Sequence, residues 1–181
     1  MFTQLHDWQN FYLLAGGASA TLVGLMFVAI SLGSGLYAPE HLPSLARALS
    51  PTFIHFVYVL VTAIVALAPT ITATVLGVLL VFVGLGSLGY TVSRLPSSRE
   101  AYRKREIDQT DLLWYILLPS VVYVLYCDAG IGLLKAGLRG ERPSHALDLL
   151  ASASILLVVI GVRNAWDLVV WMVLRRAERP Q

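Results

Sequence analysis

Arg163-Asn164-Ala165-Trp166-Asp167 interrupts an otherwise apolar run from Leu149 to Leu174, and the reading of that interruption decides the fold. A run of this length is long enough to cross a bilayer as a helix. Arg and Asp near a helix centre each oppose insertion by about 2.5 to 3.5 kcal/mol, whereas each Leu, Ile or Val favours it by roughly 0.3 to 0.6 kcal/mol. The run holds fourteen of those aliphatics, so the two contributions nearly cancel. Such a segment is comfortable only beside other helices that partner its polar residues, which implies a multi-pass membrane protein.

The rest of the chain agrees. It has 181 residues, of which 57% are hydrophobic and 13% charged, against about 25% charged in a soluble domain. Outward from the final run, four further apolar segments appear, so the spans fall at about 11–36, 51–68, 70–92, 111–134 and 149–174. The expected fold is therefore all-α, a single transmembrane domain of five helices over residues 1–181. The lead before Phe11 has no Lys or Arg and only a short apolar stretch precedes Ala18, so the first segment reads as a permanent span rather than a cleaved signal.

The connections carry their own signals. Pro51 suits the first turn of a helix, with 37–50 before it as a loop. Pro69 and Thr70 leave room only for a tight reversal, which predicts an antiparallel hairpin of the second and third spans. Residues 93–110 form the longest polar segment, Pro119 predicts a kink in the fourth span, and Ser144 is placed as N-cap of the last helix. Nine Lys and Arg fall on one side of this arrangement and three on the other, with Arg163 the thirteenth. The excess of positive charge marks the cytoplasmic side, hence N-terminus out and C-terminus in.

Two helices are marked for close packing. In the first span Gly16, Ala20 and Gly24 recur every fourth residue with Gly17 and Thr21 alongside, a pattern that lets helix backbones approach in lipid, within one chain or between copies. Gly77, Gly84, Gly86 and Gly89 do the same for the third.

The polar residues inside the spans are the candidate site. Arg163 and Asp167 are four apart and share a helix face with Asn164 beside them. Counting from span midpoints, Arg163 falls near the midplane, Asp167 and His55 toward the cytoplasm and Asp128 toward the outside, so that these five residues can form one cluster. Two roles are open to it. Intramembrane ionisable groups mark ion and proton routes, and His titrates near neutral pH; equally, a buried pair can fix helix register. Tyr115 and Tyr123, either side of Pro119, read as packing. Arg99, Arg103, Lys104 and Arg105 are candidates for lipid headgroups or simply orient the chain.

Residue type removes sharper identities. The single cysteine, Cys127, excludes an intrachain disulfide and a thiolate metal cluster. Only His55 of the four histidines lies well inside a span, which leaves no bis-histidine haem pair, and no mid-membrane Lys offers a Schiff base. No zinc- or serine-hydrolase string occurs, so neither catalytic residues nor a metal or other cofactor is expected. A net charge of +2 spread over connections argues against nucleic acid as a partner.

The opening residues His6 to Tyr12, followed by Gly17-Ala18-Ser19-Ala20-Thr21 and Leu22 to Ser31, resemble the first helix of a broad group of small, uncharacterised bacterial polytopic inner-membrane proteins, some labelled as modulators of a membrane protease. Gly161 to Asp167 is a weaker echo of the same group. The resemblance implies a bacterial inner membrane and no established activity. The expected function is a membrane-embedded assembly or accessory component, with the bilayer and a membrane-protein partner or further copies around it. The alternative is a homo-oligomeric channel or proton-coupled permeation unit built on the Arg/Asp/His cluster.

Overall fold

A computed structural model describes residues 8–34, 42–103 and 108–177, and every regular element among them is helical. The helices are α1 (Gln9–Ser34), α2 (Leu42–Leu67), α3 (Ala73–Arg103), α4 (Gln109–Arg139) and α5 (Ser144–Ala177). Four contain a segment long and apolar enough to cross a membrane: Gln9–Ser31, Ala73–Pro96, Gln109–Arg139 and Ser144–Val170. The apolar part of α2, Pro51–Leu67, is shorter; at ~1.5 Å per residue it covers about 25 Å of a hydrocarbon core ~30 Å thick. The chain is a helical bundle of a multi-pass membrane protein.

Several boundaries differ from the sequence expectation. The segment before Pro51 is helical from Leu42, because Leu45, Ala46, Ala48 and Leu49 are strong helix formers, and Pro51 lies inside α2 rather than at its start. Likewise α3 continues past Val92 through Pro96 to Arg103, so most of the expected polar loop 93–110 prolongs a helix. Ser98 and Arg94 help hold that extension, the Ser98 hydroxyl donating to the Arg94 carbonyl at 3.0 Å and the Arg94 guanidinium lying over the Tyr90 ring. Ser144 is the first helical residue rather than the cap, since the Leu147 N–H already bonds the Pro143 carbonyl at 3.0 Å.

Buried positions recur at three-, four- or seven-residue intervals along the helices: Tyr12, Gly16, Ser19 and Met26 on α1; Phe56, Val59, Ala63 and Ala66 on α2; Leu76, Leu80, Gly84 and Ser87 on α3. The outward faces carry Leu14, Leu25, Phe82 and Val78, all more than half exposed. An exterior this apolar suits lipid rather than water.

Packing follows chain order except between α2 and α3. The two tightest pairs are α1 with α2 and α3 with α4, and α5 lies between them, touching α2 and α4. The Pro69 reversal is as tight as expected, with Ile71 N–H bonding the Ala68 carbonyl at 3.1 Å. The hairpin expected from it does not form, because α2 and α3 separate beyond the turn. Backbone shape explains this. A Cβ on Gly77 would lie 2.6 Å from the Gly130 carbonyl oxygen, and one on Gly84 would lie 2.5 Å from Cys127 Sγ. The groove of α3 is therefore filled by α4 at near-backbone contact, which only glycine allows. Gly86 and Gly89 meet nothing within 4 Å and take no part.

The α1 stripe divides. Gly16 is buried and meets Ala63 of α2, where a Cβ on the glycine would lie 2.9 Å from the alanine methyl. Gly17, Ala20, Thr21 and Gly24 are exposed, and neither Gly17 nor Gly24 has an atom within 4 Å of where a Cβ would be. The bundle-facing residues are instead Tyr12, Ser19 and Met26, which with Gly16 lie at intervals of four, three and seven residues, all on one helix face.

In α4, Pro119 acts through a wide turn. Lacking an N–H, proline cannot close the helical bond to residue 115. The preceding Leu113–Leu117 is a π segment in which Leu118 N–H reaches the Leu113 carbonyl. At its far end α4 stops at Gly140, whose φ of 69° is the left-handed conformation that ends helices.

Candidate functional site

Side-chain contacts fix the relative depths of the helices. Gly77 against Gly130 and Gly84 against Cys127 set α3 on α4. Gly132 against Ala146, Tyr126 beside Ser154, and Arg163 over Trp114 set α4 on α5. The middle of the Ala73–Pro96 span, near Gly84, is thus level with Val124 and with Ala153–Ser154. Measured from that level, Arg163 lies about 14 Å away along α5 and Asp167 about 20 Å, at ~1.5 Å per residue. By that register the pair lies inside the apolar span Ser144–Val170 but toward its C-terminal end, rather than level with the middle of α3.

The pairing itself is as expected. Arg163 and Asp167 form an ion pair one turn apart, each side chain about one third exposed at 36% and 35%. The Arg163 guanidinium also lies 5.8 Å from the centre of the Trp114 ring, carried by the π segment of α4. A cation on an aromatic face with a carboxylate beside it is satisfied toward the end of a span.

Asn164 faces the other way. It is 1% exposed, and neither atom of its amide finds a hydrogen-bond partner among the described residues. Around it on α5 are Ala165 and Leu168, packed with Phe56 and Met26. An unpaired buried amide costs about 1 to 3 kcal/mol.

His55 is level with Val162, since its neighbour Phe56 packs on Gly161. Yet it joins no charge pair. Its Nε2 lies 3.0 Å from the Tyr123 hydroxyl, the ring is 2% exposed, and Nδ1 has no partner among the described residues. Tyr123 stacks edge-on with Tyr58, whose hydroxyl accepts from Ser87 at 2.8 Å. Tyr126 and Ser154 lie 3.4 Å apart one helix turn further on. A ladder of neutral hydroxyl and imidazole groups thus joins α2, α3, α4 and α5. Toward the opposite end the core is aliphatic, with Leu133, Leu147 and Leu150 fully buried.

The expected five-residue cluster is therefore divided. Arg163 and Asp167 pair toward one end of their span, Asn164 is buried beside Phe56, and His55 bonds Tyr123. Asp128 is not part of it: that residue is exposed on the outer face of α4, about 6 Å along the axis from the level of Val124. A lipid-facing carboxylate at such depth costs about 2.5 to 3.5 kcal/mol on insertion scales. Of the candidate headgroup residues, Arg103 is exposed in the last turn of α3 and Arg99 lies on the same extension; Lys104 and Arg105 lie outside the described residues.

Tyr58, Ser87, Trp114, Tyr126 and Ser154 were not singled out by the sequence as site residues. Their signal is the three- and four-residue spacing that places Tyr123 and Tyr126 on one face of α4. Partners lie on other helices, which spacing within one helix does not reveal. The fold and this interior define a five-helix, multi-pass membrane protein. No family model, curated protein or solved structure matches the chain.

Proposed function

We propose that this protein is an accessory or assembly component of a bacterial inner membrane, N-terminus out and C-terminus in, which acts through its exterior and performs no catalysis. One observation carries the reading. Among the described residues no Asp, Glu, Lys or Arg side chain is buried; the buried polar residues are Ser19, Thr52, His55, Thr62, Ser87, Thr91, Ser154 and Asn164. Arg163 and Asp167 are about one third exposed toward one end of the apolar spans, and Asp128 and Asp148 face outward. An ion route needs compensating charge or a hydrated lining along its length, whereas half of this core is aliphatic. The basic extension of α3 supports the orientation, and the likeness of the first helix to small bacterial polytopic proteins supports the compartment.

A channel or proton-coupled unit is the competing reading. It is favoured by the unpartnered Nδ1 of His55 and amide of Asn164. Purified protein in liposomes loaded with a pH-sensitive dye separates the two, with wild type beside Asp167→Asn and His55→Phe across pH 5 to 8. The accessory reading predicts proton leakage equal to protein-free vesicles for all three. Flux in the wild type that either substitution alters at equal protein content contradicts it.

A further inference from the structure

Val121, Val124, Asp128, Ile131 and Lys135 are all exposed on α4 and follow one another at alternating intervals of three and four residues. A seam with a seven-residue repeat is what two helices need to pack along their length. Its centre is Asp128, which has no hydrogen bond or ion pair with any of the described residues, and whose neighbours on the seam are aliphatic. Lipid cannot satisfy a carboxylate there.

We propose that this face of α4 docks a transmembrane helix of a different protein, one presenting a Lys, Arg or His at the depth of Asp128. This rests on the accessory reading above and names the chemistry of the partner. Charge complementarity selects the occupant. A second copy docked through this same face in the same orientation brings its own Asp128 to that depth, and the nearest cation on the face, Lys135, is seven residues on, about 10 Å along the axis. A copy therefore adds a second carboxylate where a cation is needed. The small-residue stripe of Gly17, Thr21 and Gly24 on α1 is also exposed, but holds no group that asks for a partner.

The test uses the full chain in liposomes, with Cys127→Ser and a donor fluorophore on a cysteine at the exposed position Arg142. The probes are acceptor-labelled polyleucine helices of roughly twenty residues, one with a single Lys placed at the depth of Asp128 and one all leucine. Energy transfer should reach half-saturation at an about tenfold lower peptide-to-lipid ratio for the Lys probe. Asp128→Leu, which keeps a lipid-compatible surface, should abolish that preference; Asp128→Asn should leave only part of it. Equal transfer for both probes overturns the proposal, and so does an Asn variant that behaves as wild type, since the charge would then be irrelevant. Transfer between donor- and acceptor-labelled copies that Asp128→Leu abolishes overturns it in favour of self-association. Circular dichroism of each variant verifies the fold. Proton flux in the same vesicles would overturn the accessory reading alone, so the two failures are distinguishable.

Discussion

Tyr123 ties α4 to α2 through one hydroxyl. Its bond to His55 Nε2 satisfies one of two buried ring nitrogens, and its ring supports Tyr58. Tyr123→Phe removes the hydroxyl and little volume, leaving the imidazole unpaired, so it should cost about 1 to 3 kcal/mol. His55→Phe in the same background should recover much of that, because both polar partners are then gone. Thermal denaturation in detergent of the two single variants and the double would measure the coupling; additive losses would mean that the bond adds nothing. Arg163 and Asp167 contribute less, since a pair one third exposed is screened and gains little. The sequence made their pairing legible, because four-residue spacing needs only one helix. It did not make their depth legible, because depth depends on how far α5 slides along α4.

At the scale of helices, glycine has two meanings here that spacing alone does not separate. Gly77 and Gly130 touch backbone to backbone, so Gly77→Val or Gly130→Val forces α3 and α4 apart and should cost at least about 1 to 3 kcal/mol. Gly17→Ala and Gly24→Ala meet open space on a helix, where alanine is favoured by about 0.5 to 1 kcal/mol. Melting temperatures of the four variants should fall for the first pair and hold or rise for the second. A loss at Gly17 or Gly24 as large as at Gly77 would place the α1 stripe in a contact this bundle does not contain. The five apolar runs were readable from composition and length. The partner of each helix was not: Pro69 joins α2 to α3 by a tight turn, but the glycine groove of α3 is shaped for α4. The helix end at Arg103 was hidden because polar helix residues carry no hydropathy signal, and the start at Leu42 because Pro51 reads as a first-turn residue.

Across the whole molecule, polarity is arranged by depth. Neutral hydroxyls and an imidazole occupy the middle and the half toward the basic end, aliphatics fill the other half, an ion pair sits toward one end, and the Asp128 and Asp148 carboxylates face outward. On the function proposed above, this arrangement would close the interior to ions and leave the exterior of α4 for recognition. The claim stands on the register of the helices, which spin-label depth measurement tests most directly. Nitroxides placed singly at Trp166, Asp128 and Leu138, all exposed positions, in a Cys127→Ser background in liposomes, report depth from their relative collision rates with oxygen and a water-soluble nickel chelate. The account predicts a label at 128 deepest, about 6 Å from the midplane, and labels at 166 and 138 both near headgroups of opposite leaflets. A label at 166 as deep as that at 128 would return Arg163 and Asp167 to the membrane centre and contradict it.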